Sequence, residues 1–513
     1  MHRFLPIGLL ALLLPLLPAC SATGKLGPFV NQNDIGKVLP QPGTATASGN
    51  ALTLSSGGAN IWSAEDDFHF VWKKASGDVT LAANVAIAPA APESIAHRKT
   101  VIMIRQSLDQ DSPYADAVLH GNGMTALQWR DEKGGRTYQI QARADAPKRL
   151  RIEKRGDYFS MSIGSSDADL LPAGGSCKVH LTGEYYIGVG VASHSTTRVE
   201  QATFSDITQG VPEKGNPTMV STLEVFKNNS NLDRKVVYVL KQPGATRLEA
   251  PNWGADNTLY FNNKSHLWKM AAELPADLPS KIDGPLPKPD QVDLGILAGL
   301  NNDHVLSFDK KTIALSDQSQ ANRQSTVWTI PLGSTTPKRI TPNTPSYCHG
   351  WSPDGKTLVF AGERSNNWDI YSIPSDGSAP EKRLTDTPGR EDGPEFSPDG
   401  QFIYFNSNRT GQMQIFRMKP DGSDQEQVTP DDGRNNWFPH ISPNGQLMVF
   451  ISFENTVRSD DHPESKDVML KLMNMQTKKI TTVATLFGGQ GTINVPSWSP
   501  DSQYFAFVSY QIQ

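Results

Sequence analysis

Apolar and polar residues alternate in short runs along most of the chain, and few stretches compete with helical spacing. In the first half, residues 79–85, 100–105, 149–154 and 186–191 show the two-residue period of strands that bury one face. Such strands need a second layer over the apolar face, so a β-sandwich is predicted for residues 25–209. In the second half, the apolar runs 357–360 and 402–405 each follow a tight polar turn and again predict short strands. Between the halves, Gly210-Val211-Pro212-Glu213-Lys214-Gly215-Asn216-Pro217 is polar and rich in breakers, and it predicts a linker at 210–217.

The second half is a repeat. Ser352-Pro353-Asp354-Gly355 recurs as Ser397-Pro398-Asp399-Gly400, Ser442-Pro443-Asn444-Gly445 and Ser499-Pro500-Asp501-Ser502, at spacings of 45, 45 and 57 residues. Degenerate copies stand earlier, at Ser307-Phe308-Asp309-Lys310 and around Asn252-Trp253-Gly254. The spacing is that of one four-stranded propeller blade, so six copies predict six blades over residues 218–513. Within each copy an apolar residue ends one strand, the Pro-Asp-Gly type turn reverses the chain, and the next strand follows. The turn aspartates are therefore read as structural. The last copy ends two strands short of a blade, and residues 223–226 and 235–240 are predicted to supply the missing pair, closing the ring and covering its edges.

Composition sharpens this picture. With 42 Gly and 37 Pro in 513 residues, the chain is turn-rich, which favours an all-β fold over long helices. The formal net charge is −5 with both signs mixed along the length, so no basic stripe exists to neutralise phosphates and nucleic acid is excluded as a partner. Cys177 and Cys348 fall in different predicted domains and imply no disulfide framework. The third cysteine, Cys20, follows an apolar run from Phe4 to Leu17 and the residues Pro18-Ala19. That run is too short to span a bilayer comfortably and reads as a secretory signal, residues 1–20.

Several of these motifs resemble known families. Leu17-Pro18-Ala19-Cys20 resembles the bacterial lipobox, which implies a lipidated Cys20, membrane anchorage and a place in the cell envelope; an ordinary signal peptide is the alternative. The Ser-Pro-Asp-Gly repeats with Asp369-Ile370-Tyr371 downstream resemble the TolB-type six-bladed propeller over nearly 300 residues. That propeller serves transport partners, peptidase gates and sugar lyases alike, so the resemblance implies fold more than function. The stretches 60–70, 104–108 and 192–194 resemble a concanavalin-A-like jelly roll, a module that binds carbohydrate in some proteins and only packs or presents neighbours in others. Trp62, Trp72 and Trp129 are its candidate sugar-stacking residues, against the reading that they fill the core.

Chemistry is expected where the loops entering the innermost strands converge at one mouth of the propeller channel. The candidate ligand-binding residues are Glu249, Asn252, Asp303, His304, His349, Asp392, Glu395, Trp437, His440, Gln490 and Asn494. Two readings of this mouth remain open. In the leading one the protein is a non-catalytic envelope lipoprotein whose propeller mouth recognises a protein segment or a glycan. In the alternative, which resembles oligogalacturonate lyases, His304, His349, His440 and Gln490 hold a divalent metal ion and Asp392 or Glu395 assists proton transfer on a polysaccharide. No Gly-x-Ser-x-Gly elbow, phosphate-binding loop or Cys-x-x-Cys pair accompanies these residues. The acidic insertion 458–467 accounts for much of the longest repeat spacing and is expected to be solvated, to shield the mouth or to touch a partner.

Overall fold

The computed structural model describes residues 26–513 except 145, 214–217, 230–231, 245, 273–287 and 320–322. The signal segment and Cys20 lie outside the described residues, as does part of the predicted linker. Among the described residues every regular element is a strand apart from the 3₁₀ turn Asp167–Asp169, and no helix is long and apolar enough to cross a membrane.

The N-terminal region contributes to two large sheets. One has eight strands and the other ten, and a single core cluster that includes Leu52, Leu81, Ile102, Leu127, Ile152 and Phe204 draws on both. The alternation read in the sequence explains the arrangement: in Lys99–Arg105, Ile102 and Ile104 enter this core while Val101 and Met103 enter a second cluster on the opposite face. That second cluster is closed by the hairpin Ile61–Trp62 and Glu65–Asp66. Asp66 pins the hairpin down: it accepts hydrogen bonds from Arg130 at 3.0 and 2.7 Å and lies 3.5 Å from Arg105, with all three side chains fully buried. Of the three candidate tryptophans, Trp129 fills the main core, Trp72 packs edge-on against Tyr186, and Trp62 lies half-buried beside Lys99.

Among the described residues the propeller has five separate four-stranded blades, not the six predicted. Their innermost strands are Leu248–Trp253, Leu300–Leu306, Ser346–Trp351, Glu391–Phe396 and Arg434–Ile441. The first and last strands do pair, with Thr218–Lys227 antiparallel to Tyr504–Ile512 from Met219↔Ile512 to Lys227↔Tyr504. The next strand, Arg234–Pro243, then pairs in parallel with Tyr138–Gln141, so all three strands become the end of the ten-stranded sheet. The physical reason is that an unpaired sheet edge takes up an available partner, here from the N-terminal region. Trp498, in the last repeat copy, makes only an isolated bridge to Phe505. The ring is held shut at this point by hydrogen bonds from Val508 N–H to Thr492 C=O at 2.9 Å, from Ala250 N–H to Gly491 C=O at 2.7 Å and from Tyr510 Oη to Leu248 C=O at 3.0 Å.

The repeat turns show why their aspartates are structural. Ser352 Oγ donates to Asp354 Oδ1 at 2.6 Å, Lys356 N–H donates to the same oxygen, and Thr357 N–H donates to Ser352 Oγ. The same three bonds recur at Ser307/Asp309, Ser397/Asp399, Ser442/Asn444 and Ser499/Asp501. The fourth turn residue needs a left-handed backbone, supplied by Gly355 at φ +71°; Lys310 and Ser502 adopt it at φ 58° and 63° without that freedom.

Candidate functional site

Each of the five innermost strands slips register against its neighbour at the same place: Glu249/Asn252, Leu300/His304, Cys348/Gly350, Asp392/Glu395 and Trp437/His440. Such bulges re-aim side chains that simple alternation would place elsewhere. At three of them the backbone turns left-handed, at Ala250, Gly393 and Phe438. The result is a cavity of about 380 Å³ whose lining includes Asp303, Tyr347, His349, Arg390, Asp392 and Gln490.

Of the predicted site residues, Asp303, His349, Asp392 and Gln490 line this cavity. His349 Nε2 lies 3.5 Å from Asp392 and 3.9 Å from Asp303, so the imidazole stands between two carboxyl groups. Arg390 grips Asp392 through Nε at 3.2 Å and Nη2 at 2.8 Å, and Gly393 N–H donates to its other oxygen at 2.6 Å. Burial pushes the Asp392 carboxyl up, but Arg390, His349 and His462 outweigh it and hold the group below its ordinary value. Among the described residues the Asn301 amide, at 3.0 Å, is the one hydrogen-bond donor to the Asp303 side chain. Burial, followed by the nearby Asp392 and Glu249, pushes it well above the ordinary carboxylate range. Burial likewise lowers His349 to about 4 and lowers His462. The mouth therefore holds one carboxyl driven toward its protonated form, one ion pair and two imidazoles driven toward neutrality. Gln490 is positioned by Asn494, which donates to it at 2.9 Å, and itself donates to Asn302 at 3.1 Å.

The other predicted residues do different work. His440 Nε2 donates to the Ile493 carbonyl at 2.8 Å, and its Nδ1 is hydrogen-bonded to Glu395 at 2.7 Å. Glu395 also accepts from Ile441 N–H at 3.1 Å, which ties one blade to the next. Asn252 accepts from Leu306 N–H at 2.9 Å and donates to the Pro496 carbonyl, bridging its neighbours on both sides. Trp437 is fully buried in an apolar cluster. His304 is buried beside Leu315 with neither ring nitrogen hydrogen-bonded to protein, and burial lowers it to about 3. The structure thus does not bring His304, His349, His440 and Gln490 together. Among the described residues, no three His, Cys, Asp or Glu side chains are arranged to hold a metal ion.

Sequence reasoning missed Arg390, Trp368 and His462. The Arg390 guanidinium lies 4.9 Å from the Trp368 ring, and Trp368 packs on Tyr347 at 5.7 Å. His462 comes from the acidic insertion, packing edge-on against Trp437 at 4.6 Å and Phe438 at 5.2 Å. The unusual length of that repeat was the available signal, because residues beyond the four-strand requirement are free to fold over the mouth.

Five four-stranded sheets with their innermost strands gathered around one polar mouth define a β-propeller. A family model, the TolB beta propeller domain (PD40), matches residues 303–468. The uncharacterized protein Atu1656 of Agrobacterium fabrum is 43% identical over 294 residues, which are 57% of this chain and 93% of that protein. The chain belongs to the TolB β-propeller family. A solved structure from Agrobacterium tumefaciens, of a protein provisionally named TolB, is 41% identical with a TM-score of 0.51 and covers 57% of this chain and 99% of that one. TolB from Acinetobacter baumannii is 19% identical with a TM-score of 0.36, over 51% of this chain and 58% of its own.

Proposed function

We propose that the protein is a non-catalytic binding protein of the bacterial cell envelope, anchored through a lipidated Cys20, and that its propeller mouth receives a segment of a partner protein. The N-terminal region is read as a concanavalin-A-like module that presents the propeller. The observation that carries the proposal is the convergence of fixed donors and acceptors from several blades on one cavity beside an aromatic pair, Trp368 and Tyr347. Most of these groups are already held by protein partners, which suits recognition of a shaped surface. The metal-dependent alternative is weakened, because both nitrogens of His440 are engaged and His304 lies away from the cavity lining.

A photo-crosslinking residue placed at Tyr347 in cells tests this reading. One discrete envelope-protein adduct, lost with Arg390→Ala, is expected. Crosslinks spread over many proteins, or retained in that variant, would defeat the proposal. Stoichiometric metal in the purified protein that is lost in a His349→Ala, His440→Ala double variant would restore the enzyme reading. A Cys20→Ser protein is expected in the soluble fraction, and its retention at the membrane would remove the anchor.

A further inference from the structure

A second cavity, of about 420 Å³, lies where the N-terminal strands of the ten-stranded sheet run on into the strands that close the propeller. Its floor is the sheet face opposite the main core. Lys99 stands opposite His120, Asp116 opposite Gln128, and Gln128 opposite Gln139, so these side chains share one face. Between them on the other face, Ile102, Ala117 and Leu127 fill the core. A face that only met solvent would leave its charges hydrated. Here Lys99, Asp116 and Gln128 are buried, and Lys99 Nζ donates to the Ile61 carbonyl at 2.6 Å and to Gln128 at 3.3 Å. The Trp62 ring lies 5.0 Å from that ammonium.

Three imidazoles gather beside it. The rings of His97 and His120 are 5.7 Å apart and those of His97 and His194 are 6.0 Å apart. His194 has a left-handed backbone at φ 58°, and its Nδ1 is buried without a hydrogen-bond partner. The propeller side adds Lys227 and Arg234. The opposing acids are few: Asp233 is the one carboxylate on the lining, and Glu224, behind it, is taken up by Arg234 at 2.9 and 3.0 Å. Asp116 lies beneath Lys99 with neither oxygen hydrogen-bonded; burial pushes its carboxyl well up and Lys99 opposes that rise. Asp66, the remaining acid that acts on Lys99, is occupied by Arg105 and Arg130. Among the described residues Lys99 and Lys227 thus stand on the lining against the one carboxylate of Asp233, in contrast to the mouth, where an arginine is matched by its own carboxylate.

We propose that this cavity binds a small anion carrying hydroxyl groups, a sugar acid or a sugar phosphate. Lys99 and the imidazoles receive the negative group, the amides of Gln128, Gln139 and Gln141 meet the hydroxyls, and Trp62 covers the ring. The imidazoles make binding proton-linked, and so does Lys99, which burial lowers to about 8. Burial, Lys99 and the neighbouring rings push His120 well down, and burial, Lys99 and His97 lower His194, so the empty cavity disfavours their protonated forms. An anion placed against them favours their protonated forms, so binding takes up protons and tightens as pH falls. The proposal does not depend on what the propeller mouth binds.

Isothermal titration of the full chain with galacturonate, glucose 6-phosphate, inorganic phosphate and glucose tests it, at pH 6 and pH 8 and in buffers of different ionisation enthalpy. Expected are heats for galacturonate or glucose 6-phosphate and none for glucose. Affinity should change by about tenfold per pH unit where one proton is taken up, and binding should be lost in both Lys99→Met and the exposed-site variant His97→Gln. The carboxylate and phosphate arms distinguish the two sources of the anion. Inorganic phosphate binding as tightly as the sugar phosphate would overturn the role of the hydroxyls. Equal binding of glucose, no heat from any anion, or unchanged affinity in His97→Gln would overturn the site.

Discussion

Glu249 begins the ring at the seam where it closes, on the innermost strand Leu248–Trp253 against the loop at Gly491. The approach is so close that a Cβ at Gly491 would sit 2.8 Å from Glu249 Cγ. The nearest cation, Arg247, is 3.8 Å from the carboxylate and is shared with Glu464. Burial therefore prevails and lifts the Glu249 carboxyl from 4.5 to about 7, with Arg247 opposing. Between those values the folded state holds a proton that the unfolded chain has released. Stability is then fully present below about pH 4.5 and falls as pH rises through about 7. A shift of this size corresponds to roughly 3 kcal/mol. Replacing Glu249 by Gln keeps the shape and removes the ionisation. Urea unfolding of the variant should match the native protein near pH 4 and exceed it by up to ~3 kcal/mol at pH 8, with an unchanged denaturant slope. Equal midpoints at pH 8, or a variant less stable at both values, would refute the argument that an under-compensated carboxylate sits at the seam.

Three further outcomes follow from buried partners and backbone strain. His440→Ala strands the Glu395 carboxylate and the Ile493 carbonyl, and thermal unfolding should show a loss of about 3 kcal/mol. Arg130→Met leaves Asp66 with Arg105 alone at 3.5 Å; a loss of about 3–5 kcal/mol is expected, with altered near-ultraviolet circular dichroism as the hairpin bearing Trp62 loosens. Lys310→Gly places the residue that a left-handed turn prefers at φ 58°, and should raise the melting temperature by the equivalent of about 1 kcal/mol. A lower melting temperature would mean that contacts of the Lys310 side chain outweigh the strain.

The repeat was legible because its turn has local chemistry: a serine, an aspartate two residues on and a left-handed position recur at fixed offsets and need no distant partner. The failure of the sixth blade has the opposite cause. Pairing of Ile140 with Arg234 joins segments far apart in the chain and leaves no mark in either. The mouth was half legible for a related reason. Repeat position placed the right segments together, but the register slip decides which of two adjacent residues faces the cavity. Asp303 points into it and His304 does not, although the sequence offers them as neighbours with equal claims. Arg390 carries no sequence signal beyond its place one residue ahead of the acidic pair Glu391-Asp392, yet it is the strongest of the groups that hold Asp392 below its ordinary value.

The shared sheet changes how the two halves should be thought of. A polar, breaker-rich linker ordinarily implies bodies that move independently. Here the chain on either side of 210–217 is joined by backbone pairing, Ile140 to Arg234 and Gln141 to Lys235. Side chains reinforce it: Gln511 Nε2 donates to Ser160 Oγ at 2.7 Å, Lys178 pairs with Asp467 at 2.5 Å, and Tyr158 packs edge-on against Phe487 at 5.8 Å. Rotation of one half against the other would have to break sheet hydrogen bonds and expose the edge they cover, which costs more than bending a loop. Arg234 concentrates this logic in one residue. It lines the second cavity, pairs with Glu224 on the strand that closes the propeller, and begins the strand that enters the N-terminal sheet. A ligand in that cavity would therefore touch the same strands that hold the ring shut.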